Sequence, residues 1–343
     1  MKKVIVTGGA GFIGSHTCVE LVAAGYEPII VDNFCASERG MVGRLEQILG
    51  KRVAVYDIDC RDVSGLDRVF SEHPDTFGVI HFAAFKAVGV SVEKPLDYFD
   101  NNLTSLWTLL RAQFRHRVPH LVFSSSCTVY GQPDKLPVTE ASPLKPAESP
   151  YGRTKQMCED IINDVVRSKA PLKAVTLRYF NPVGAHESAL IGELPIGRPE
   201  NLVPFITQTA VGLRDKLTVF GNDYDTSDGT CVRDYIHVLD LANAHVRALN
   251  WLGEQDSPCF NEVFNVGTGR GTTVLEAIRA FEEASGTKLN YEIGPRRVGD
   301  VIETYASVDK AKTVLGWEAK RDIKQALGDA YRWQVALRDN PLT

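Results

Sequence analysis

Tyr151 and Lys155 stand four residues apart in "SPYGRTK", behind a Ser-Pro pair of the kind that opens a helix. At that spacing the two side chains share one helix face. Upstream, the apolar run "HLVFSSS" reads as a strand ending in Ser124, Ser125 and Ser126. A phenol, an ammonium and a hydroxyl so disposed suit proton transfer: the phenol as base, the ammonium favouring phenolate, the hydroxyl bridging to a substrate. A phenol ordinarily ionises near pH 10, so a phenolate at pH 7 needs about 4 kcal/mol of help. An ammonium about 6 Å away supplies about 3 kcal/mol at an effective dielectric of 20. Taken alone, the pair also fits a half-buried aromatic beside a solvated charge.

A second set of residues lies at the start of the chain. In "VIVTGGAGFIGSHTCVELVAAGYEPIIVDN", strand Val4–Val6 runs into Gly8, Gly9, Gly11 and Gly14, then a helix from Phe12 to about Gly25 and a strand ending in Asp32. Glycines there let backbone N–H groups approach a pyrophosphate that the helix N-terminus favours. Asp32 lies at the offset of a carboxylate that binds adenosine ribose hydroxyls, and no arginine stands beside it to take a 2′-phosphate, so NAD is preferred over NADP. The positive ring of NAD⁺ would add to the lysine's pull on the phenol. The Gly-Lys-Ser/Thr of a phosphate-binding loop is absent, which disfavours a kinase or ATPase.

The elements that must position these groups follow from the chain's periodicity. The runs "KKVIV", "EPIIV", "RVAVYDI", "FGVIHFA", "HLVFSSS" and "KAVTLRYF" alternate with segments such as Phe12–Ala24 and Leu103–Arg115, whose apolar residues recur every three or four positions. That alternation predicts an α/β fold, with a parallel sheet covered on both faces. Regularity fails after Asn181 in "NPVGAHESALIGELPIGRPENL", where a second lobe is expected to begin. The expected division is a cofactor domain over 1–180, rejoined by 233–267, and a substrate domain over 181–343. With 343 residues, 44% of them apolar, there is enough chain for two lobes. A net charge of −5 without a basic run excludes an electrostatic footprint for nucleic acid or an anionic membrane. Neither a signal peptide nor a membrane span is evident, so a cytoplasmic location is expected. Seven scattered cysteines with no CxxC spacing indicate reduced packing residues and no metal site.

Together "TGGAGFIGSH", "FSSSCTVYG", "SPYGRTK", "RYFNPVGAH", "GNDYDTSDGTCVRDYIHVLDLA" and "FNVGTGRG" resemble the extended short-chain dehydrogenase/reductase family, and within it the branch that epimerises UDP-hexoses at C4. The resemblance spans nearly the whole chain and implies a Rossmann-type doubly wound sheet with a smaller α/β C-terminal lobe. It further implies a tightly held NAD, a transient 4-ketose and a homodimer built on two helices per subunit. Asp97–Arg115 and Tyr151–Val166 are the candidate dimer helices, with Leu103, Leu106, Leu109, Leu110, Ile161, Ile162 and Val165 as candidate seam residues, although the same apolar stripes equally fit intramolecular core. By the same resemblance Tyr151 is the base, Ser126 binds the reacting hydroxyl, and Lys155 binds the nicotinamide ribose and lowers the phenol's pKa. Gly8, Gly11, Phe12, Ile13, Gly14, Asp32, Asn33, Asp59, Cys60, Phe82, Lys86, Asn101 and Tyr179 are expected at NAD. Lys86, Asn181, Asn201, Leu202, Arg233, Arg297, Asp300 and Thr304 are expected at the UDP-sugar.

Arginine forks at 233 and 297 suit a diphosphate, and amides at 181 and 201 suit hydroxyls, although the arginines equally fit plain surface charges. His81, His186 and His237 are expected in loop or core roles. Val90 and Cys127 depart from the family's usual acid and alanine. In the family the position of Thr304 walls the hexose pocket, and a small residue there admits N-acetylhexosamines. The alternatives are a sugar-nucleotide 4,6-dehydratase, disfavoured because Cys127-Thr128 stands where that chemistry needs an Asp-Glu pair, and a non-catalytic NAD-binding sensor.

Overall fold

The computed structural model describes residues 1–297 and 301–342. Strands β1 (Lys2–Thr7), β2 (Tyr26–Asp32), β3 (Ala54–Asp57), β4 (Thr76–His81), β5 (His120–Ser126) and β6 (Lys173–Tyr179) alternate with helices α1 (Phe12–Ala23), α2 (Gly40–Leu49), α3 (Val63–Glu72), α4 (Val88–Glu93), α5 (Pro95–Arg115) and α6 (Pro150–Arg167). Beyond them follow β7 (Asn181–Val183), α7 (Leu202–Ala210), β8 (Leu217–Phe220), β9 (Val232–Arg233), β10 (Tyr235–His237), α8 (Val238–Gly253) and β11 (Phe260–Val266). The chain continues through β12 (Thr272–Thr273), α9 (Val274–Ser285), β13 (Tyr291–Gly294), β14 (Glu303–Thr304), α10 (Asp309–Leu315) and α11 (Ile323–Asp339).

Seven strands form one parallel sheet in the order β11-β6-β5-β4-β1-β2-β3. Its order reverses between β1 and β4, and such a switch point opens a crevice at the carboxyl ends of the strands. Alternate residues of each strand serve opposite faces. Val4, Val6, Ile30, Ile80 and Val122 pack with Leu21 of α1 and Leu241 and Leu249 of α8. Ile5, Ile29, Val79, Leu121 and Phe123 pack with Phe70 of α3, Leu106 and Leu109 of α5, and Ile162 of α6. Both faces are therefore dry, which is why the strands read as almost continuous apolar runs.

This packing assigns most of the candidate seam residues to the intramolecular core instead. Leu103, Leu106, Leu109, Leu110 and Ile162 are buried inside the chain, because α5 and α6 turn those stripes onto the sheet. Ile161 and Val165 are only partly covered, and Trp107 of α5 is exposed.

Local signals account for the helix starts. Ser149 caps α6 by accepting from the Gly152 amide at 3.1 Å, and Pro150 needs no donor at the first turn. Thr273 and Glu276 form a reciprocal capping box on α9. A separate apolar cluster gathers α7, α9 and α11 around Ile206, Ile278, Phe281 and Leu327. After β14, Trp317 returns to the α8 side of the large sheet, where its indole donates to the Asp240 carbonyl at 3.0 Å.

His16, His81 and His245 are buried. Burial pushes His16 and His81 down to about 3, the latter helped by the Lys155 charge, and His245 down to about 4. Unfolded histidine takes up its proton near pH 6.5, so this stability is complete above that pH and is lost as the pH falls below it. The three together should remove about 4 kcal/mol of unfolding free energy between pH 7.5 and 5.5. Urea titrations at those two pH values check this; equal unfolding free energies would contradict it.

Candidate active site

The reacting groups expected from the sequence meet at the carboxyl edge of the sheet. Ser126 is the last residue of β5, and Tyr151 and Lys155 lie on the first turns of α6; all three are buried. The Lys155 Nζ donates to the Ser124 carbonyl at 2.7 Å and lies 5.9 Å from the centre of the Tyr151 ring. The Tyr151 phenol lies beside the Ser126 side chain. Beside them the Tyr179 hydroxyl pairs with Ser124 Oγ at 2.8 Å.

The electrostatics differ from the expectation in one respect. Burial pushes the Tyr151 phenol well above its ordinary pKa, Tyr179 adds to that rise, and the Ser126 side chain opposes it. Lys155 is itself lowered to about 8, again by burial. The lysine therefore does not bring the phenol below its ordinary pKa in the chain alone. Desolvation penalises the charged form of both groups, and it outweighs one ammonium across the ring.

A buried network holds these elements in place. Glu159, one turn beyond Lys155, accepts from Ser125 Oγ at 2.6 Å and from both Arg178 Nε at 3.0 Å and Nη2 at 2.5 Å. Arg178 also donates to the Tyr130 hydroxyl at 3.0 Å, which in turn donates to Asn265 Oδ1 at 2.6 Å. Glu159 and Arg178 lie within a turn of, or next to, the site residues Lys155 and Tyr179, yet neither was singled out from the sequence. The available signal was Glu159 at i+4 from Lys155, a carboxylate on the buried face of α6.

The glycine loop fits a dinucleotide. Gly8 has φ +69°, and a Cβ there would meet the Ala83 amide nitrogen at 2.9 Å. A Cβ on Gly14 would lie 2.2 Å from the Gly8 carbonyl oxygen, so glycine is what lets α1 start flush against the loop. Gly11 precedes α1, and Phe12 and Ile13 form its first turn, half-buried. Asp32 accepts from the Ala10 amide at 3.0 Å through Oδ2, and from the Phe34 amide and Ser37 hydroxyl, each at 2.9 Å, through Oδ1. It thereby ties the glycine loop to the turn after β2 and lies at the end of that strand, where an adenosine ribose would sit.

Asn33 donates to Asp59 at 3.0 Å, and Arg61 beside Asp59 holds its carboxyl below the usual range. Cys60 is buried and its thiol is pushed up by burial, which leaves its backbone as the usable part. Phe82 is half-buried against His245, its amide bonded to the Thr7 carbonyl at 3.0 Å. Asn101 donates to Asn102 at 3.0 Å. Asn102 in turn fixes the Lys86 loop through the Phe85 amide and carbonyl at 2.8 and 3.1 Å, and reaches Thr154 of α6 at 2.9 Å.

The expected UDP-sugar residues come mainly from the chain after β6. Asn181 opens β7, with its amide on the Asp234 carbonyl at 2.9 Å. Asn201 and Leu202 stand at the N-terminus of α7, and Lys86 meets Asn201 at the carboxylate of Glu193. Arg233 lies on β9, and Arg297 is set 5.7 Å from the exposed ring of Phe220, an aromatic the sequence reading passed over. Asp300 lies outside the described residues.

Thr304 is buried on β14, in parallel register with Arg233. Registered neighbours on adjacent strands share a face, so Thr304 lies on the side of Arg233. Tyr305 takes the other side, where its ring would lie 3.2 Å from a Cβ on Gly271. His81 bonds to Thr7 at 2.7 Å, His237 to Asp329 at 3.0 Å, and His186 to Ser188 at 2.8 Å, which gives them structural roles. After Ser126 comes Cys127, pushed up to about 12 by burial and therefore a poor acid–base group at neutral pH.

The chain matches the family described as GDP-mannose 4,6 dehydratase over residues 5–330. It is 50% identical to UDP-glucose 4-epimerase 2 of Arabidopsis thaliana over 335 residues, 97% of this chain and 95% of that one. A UDP-glucose 4-epimerase from Stenotrophomonas maltophila with bound NAD and formylated UDP-arabinopyranose has a TM-score of 0.95 to this chain, with 46% identity and 99% of each chain covered. One from Bifidobacterium longum, in complex with NAD⁺ and UDP, has a TM-score of 0.93 at 47% identity, again covering 99% of each chain.

Removing one partner of the buried Glu159–Arg178 pair leaves the other charge stranded. Glu159→Gln should therefore cost about 3 to 5 kcal/mol, whereas replacing both residues by methionine should cost less than the single change. Denaturant unfolding of the two variants decides it; a double variant less stable than Glu159→Gln would show that the charges are not coupled.

Proposed function

The chain belongs to the UDP-glucose 4-epimerases, and from that premise we propose that Tyr151 is the group that removes and returns the 4-hydroxyl proton of a UDP-hexose as C4 is inverted. The observation that carries this reading is the convergence of Ser126, Tyr151 and Lys155 at the sheet's carboxyl edge, across from the glycine loop, with Lys155 anchored on Ser124. NAD, when bound, supplies the hydride acceptor and donor and a positive ring charge. Gly8, Gly11 and Gly14 would admit its pyrophosphate, Asp32 and Asn33 its adenosine ribose, and Asp59, Cys60, Phe82, Asn101 and Tyr179 would flank it.

Ser126 receives the substrate's 4-hydroxyl and keeps it in line with the phenol. Oxidation takes a hydride from C4 and a proton from that hydroxyl, leaving a 4-ketose. The proton is held at the Tyr151 oxygen. When the ketose presents its other face, Tyr151 gives the proton back as hydride returns to C4, so no net oxidation occurs. Because burial favours the neutral phenol, Tyr151 remains protonated until positive charge accumulates beside it; Lys155 contributes part of that charge and orients the ribose. Coupling the phenol's proton to local charge keeps proton and hydride movement in step. Arg233 and Arg297 are proposed at the diphosphate, with Asn181, Asn201 and Leu202 around the sugar and nucleoside.

We further propose that the hexose pocket admits N-acetylated sugars, since Thr304 is small and shares the face of Arg233. The two lobes are taken as 1–180 with 233–267, and 181–343. A cytoplasmic homodimer fits the exposed Trp107 on α5 and the partly covered Ile161 and Val165 on α6; among the described residues no helix is long and apolar enough to cross a membrane.

Product analysis with UDP-glucose, UDP-galactose and their N-acetylated counterparts, without added cofactor, tests the reading directly. A stable 4-keto-6-deoxy product would replace it with a dehydratase. Tyr151→Phe should lower kcat by about 10² to 10⁴ while the purified protein still carries NAD; undiminished turnover would remove Tyr151 from the mechanism. Thr304→Tyr should abolish turnover of UDP-GalNAc and leave UDP-galactose within about threefold, since a ring fills the space of an acetamido group. Failure of the parent enzyme to turn over UDP-GalNAc would refute the broad pocket alone.

A further inference from the structure

Asp234 stands between β9 and β10 and is fully buried. A carboxylate out of water needs donors, and four uncharged ones meet it. Oδ1 accepts from the Thr268 amide at 2.8 Å and the Thr268 hydroxyl at 2.7 Å, while Oδ2 accepts from the Gly269 amide at 3.1 Å and the Ala306 amide at 3.3 Å. The fit is close. A Cβ on Gly267 would lie 2.4 Å from Oδ2.

These donors reach Asp234 from two sides. Thr268 and Gly269 belong to the turn between β11 and β12, Ala306 follows β14, and the strand order β12-β9-β14 sets the two segments on opposite flanks of β9. Backbone pairing of β9 with β14 covers only Val232 with Glu303 and Arg233 with Thr304. One residue further on, the Asp234 side chain takes over as acceptor for the chain leaving β14. The Asp234 carbonyl also accepts from the Asn181 amide at 2.9 Å. A single residue therefore joins the segments that carry Asn181, Arg233 and Thr304.

We propose that Asp234 is a positioning residue for substrate binding: its carboxylate extends the short β9–β14 ladder and so fixes the separation of Arg233 from Thr304. A two-residue ladder with no bond beyond it frays readily, and fraying here would move a diphosphate contact relative to a sugar contact. The inference rests on the placing of Arg233 and Thr304 at the UDP-sugar.

The test uses the NAD-loaded enzyme, with UDP affinity read by titration calorimetry and KM and kcat read with UDP-galactose. Asp234→Asn keeps the size of the side chain but has one acceptor end where the carboxylate has two, so with Thr268 holding that end an NH₂ is turned toward the Gly269 and Ala306 amides. KM should rise about tenfold and UDP affinity fall alongside it, with kcat within about threefold. Ala306→Pro deletes the same contact from the donor side and should raise KM in the same direction, which also covers an Asp234→Asn variant that fails to fold. Thr268→Val removes a bond to Oδ1 and leaves the Ala306 contact in place; its unfolding free energy should fall while KM stays within about twofold. A KM rise in Thr268→Val equal to that in Asp234→Asn would mean general loosening, and that result, or parent-like KM in Asp234→Asn or Ala306→Pro, would overturn the proposal. Arg233→Ala, measured in parallel, separates the two readings. Unchanged UDP affinity there would remove the site assignment and this inference with it, whereas a loss of about tenfold beside a parent-like Asp234→Asn would remove this inference alone.

Discussion

A charge pair buried beneath the reacting groups sets the geometry on which the site depends. Glu159 and Arg178 lie on α6 and β6, and their hydrogen bonds extend to Ser125 on β5 and Tyr130 in the turn that follows it. Taking two charges out of water is costly, and an apolar substitute of equal volume would serve stability about as well. What the ions add is direction. A bidentate guanidinium–carboxylate contact tolerates little sliding, so the helix carrying Tyr151 and Lys155 is indexed against the two strands that end in Ser126 and Tyr179.

The same burial shapes the chemistry. Tyr151 and Lys155 lie out of water, which favours a neutral phenol and a less basic amine. A site that stabilised phenolate permanently would hold a base charged regardless of what was bound. In the mechanism proposed for Tyr151, the phenol's affinity for its proton is instead left to respond to charge delivered with ligands, and a redox cycle that must return to its starting point benefits from that reversibility.

Close approach of backbone to backbone governs the cofactor side. Gly14 against the Gly8 carbonyl leaves no room for a methyl group, and this contact brings the N-terminus of α1 to the switch point between β1 and β4. Asp32 fastens the loop from the next strand. Further along the chain, short pairings of β7 with β10 and β14 with β9 bring Asn181 beside Tyr235 and Thr304 beside Arg233 from different stretches of sequence.

Much of this was legible from the residues in order. The alternation of apolar runs and helical stripes dictates a parallel α/β sheet, the glycine spacing dictates a tight strand-to-helix turn, and four-residue spacing puts Tyr151 and Lys155 on one helix face. These are local properties, set by backbone sterics and side-chain periodicity, and a linear string carries them. Tertiary structure alone decided that the α5 and α6 stripes face the sheet, that Thr304 and not Tyr305 shares the side of Arg233, that burial raises the phenol's pKa against the lysine's pull, and that Asp234 accepts from two distant segments. Each of those depends on desolvation or on contacts between distant segments, and neither leaves a trace in the spacing of neighbouring residues.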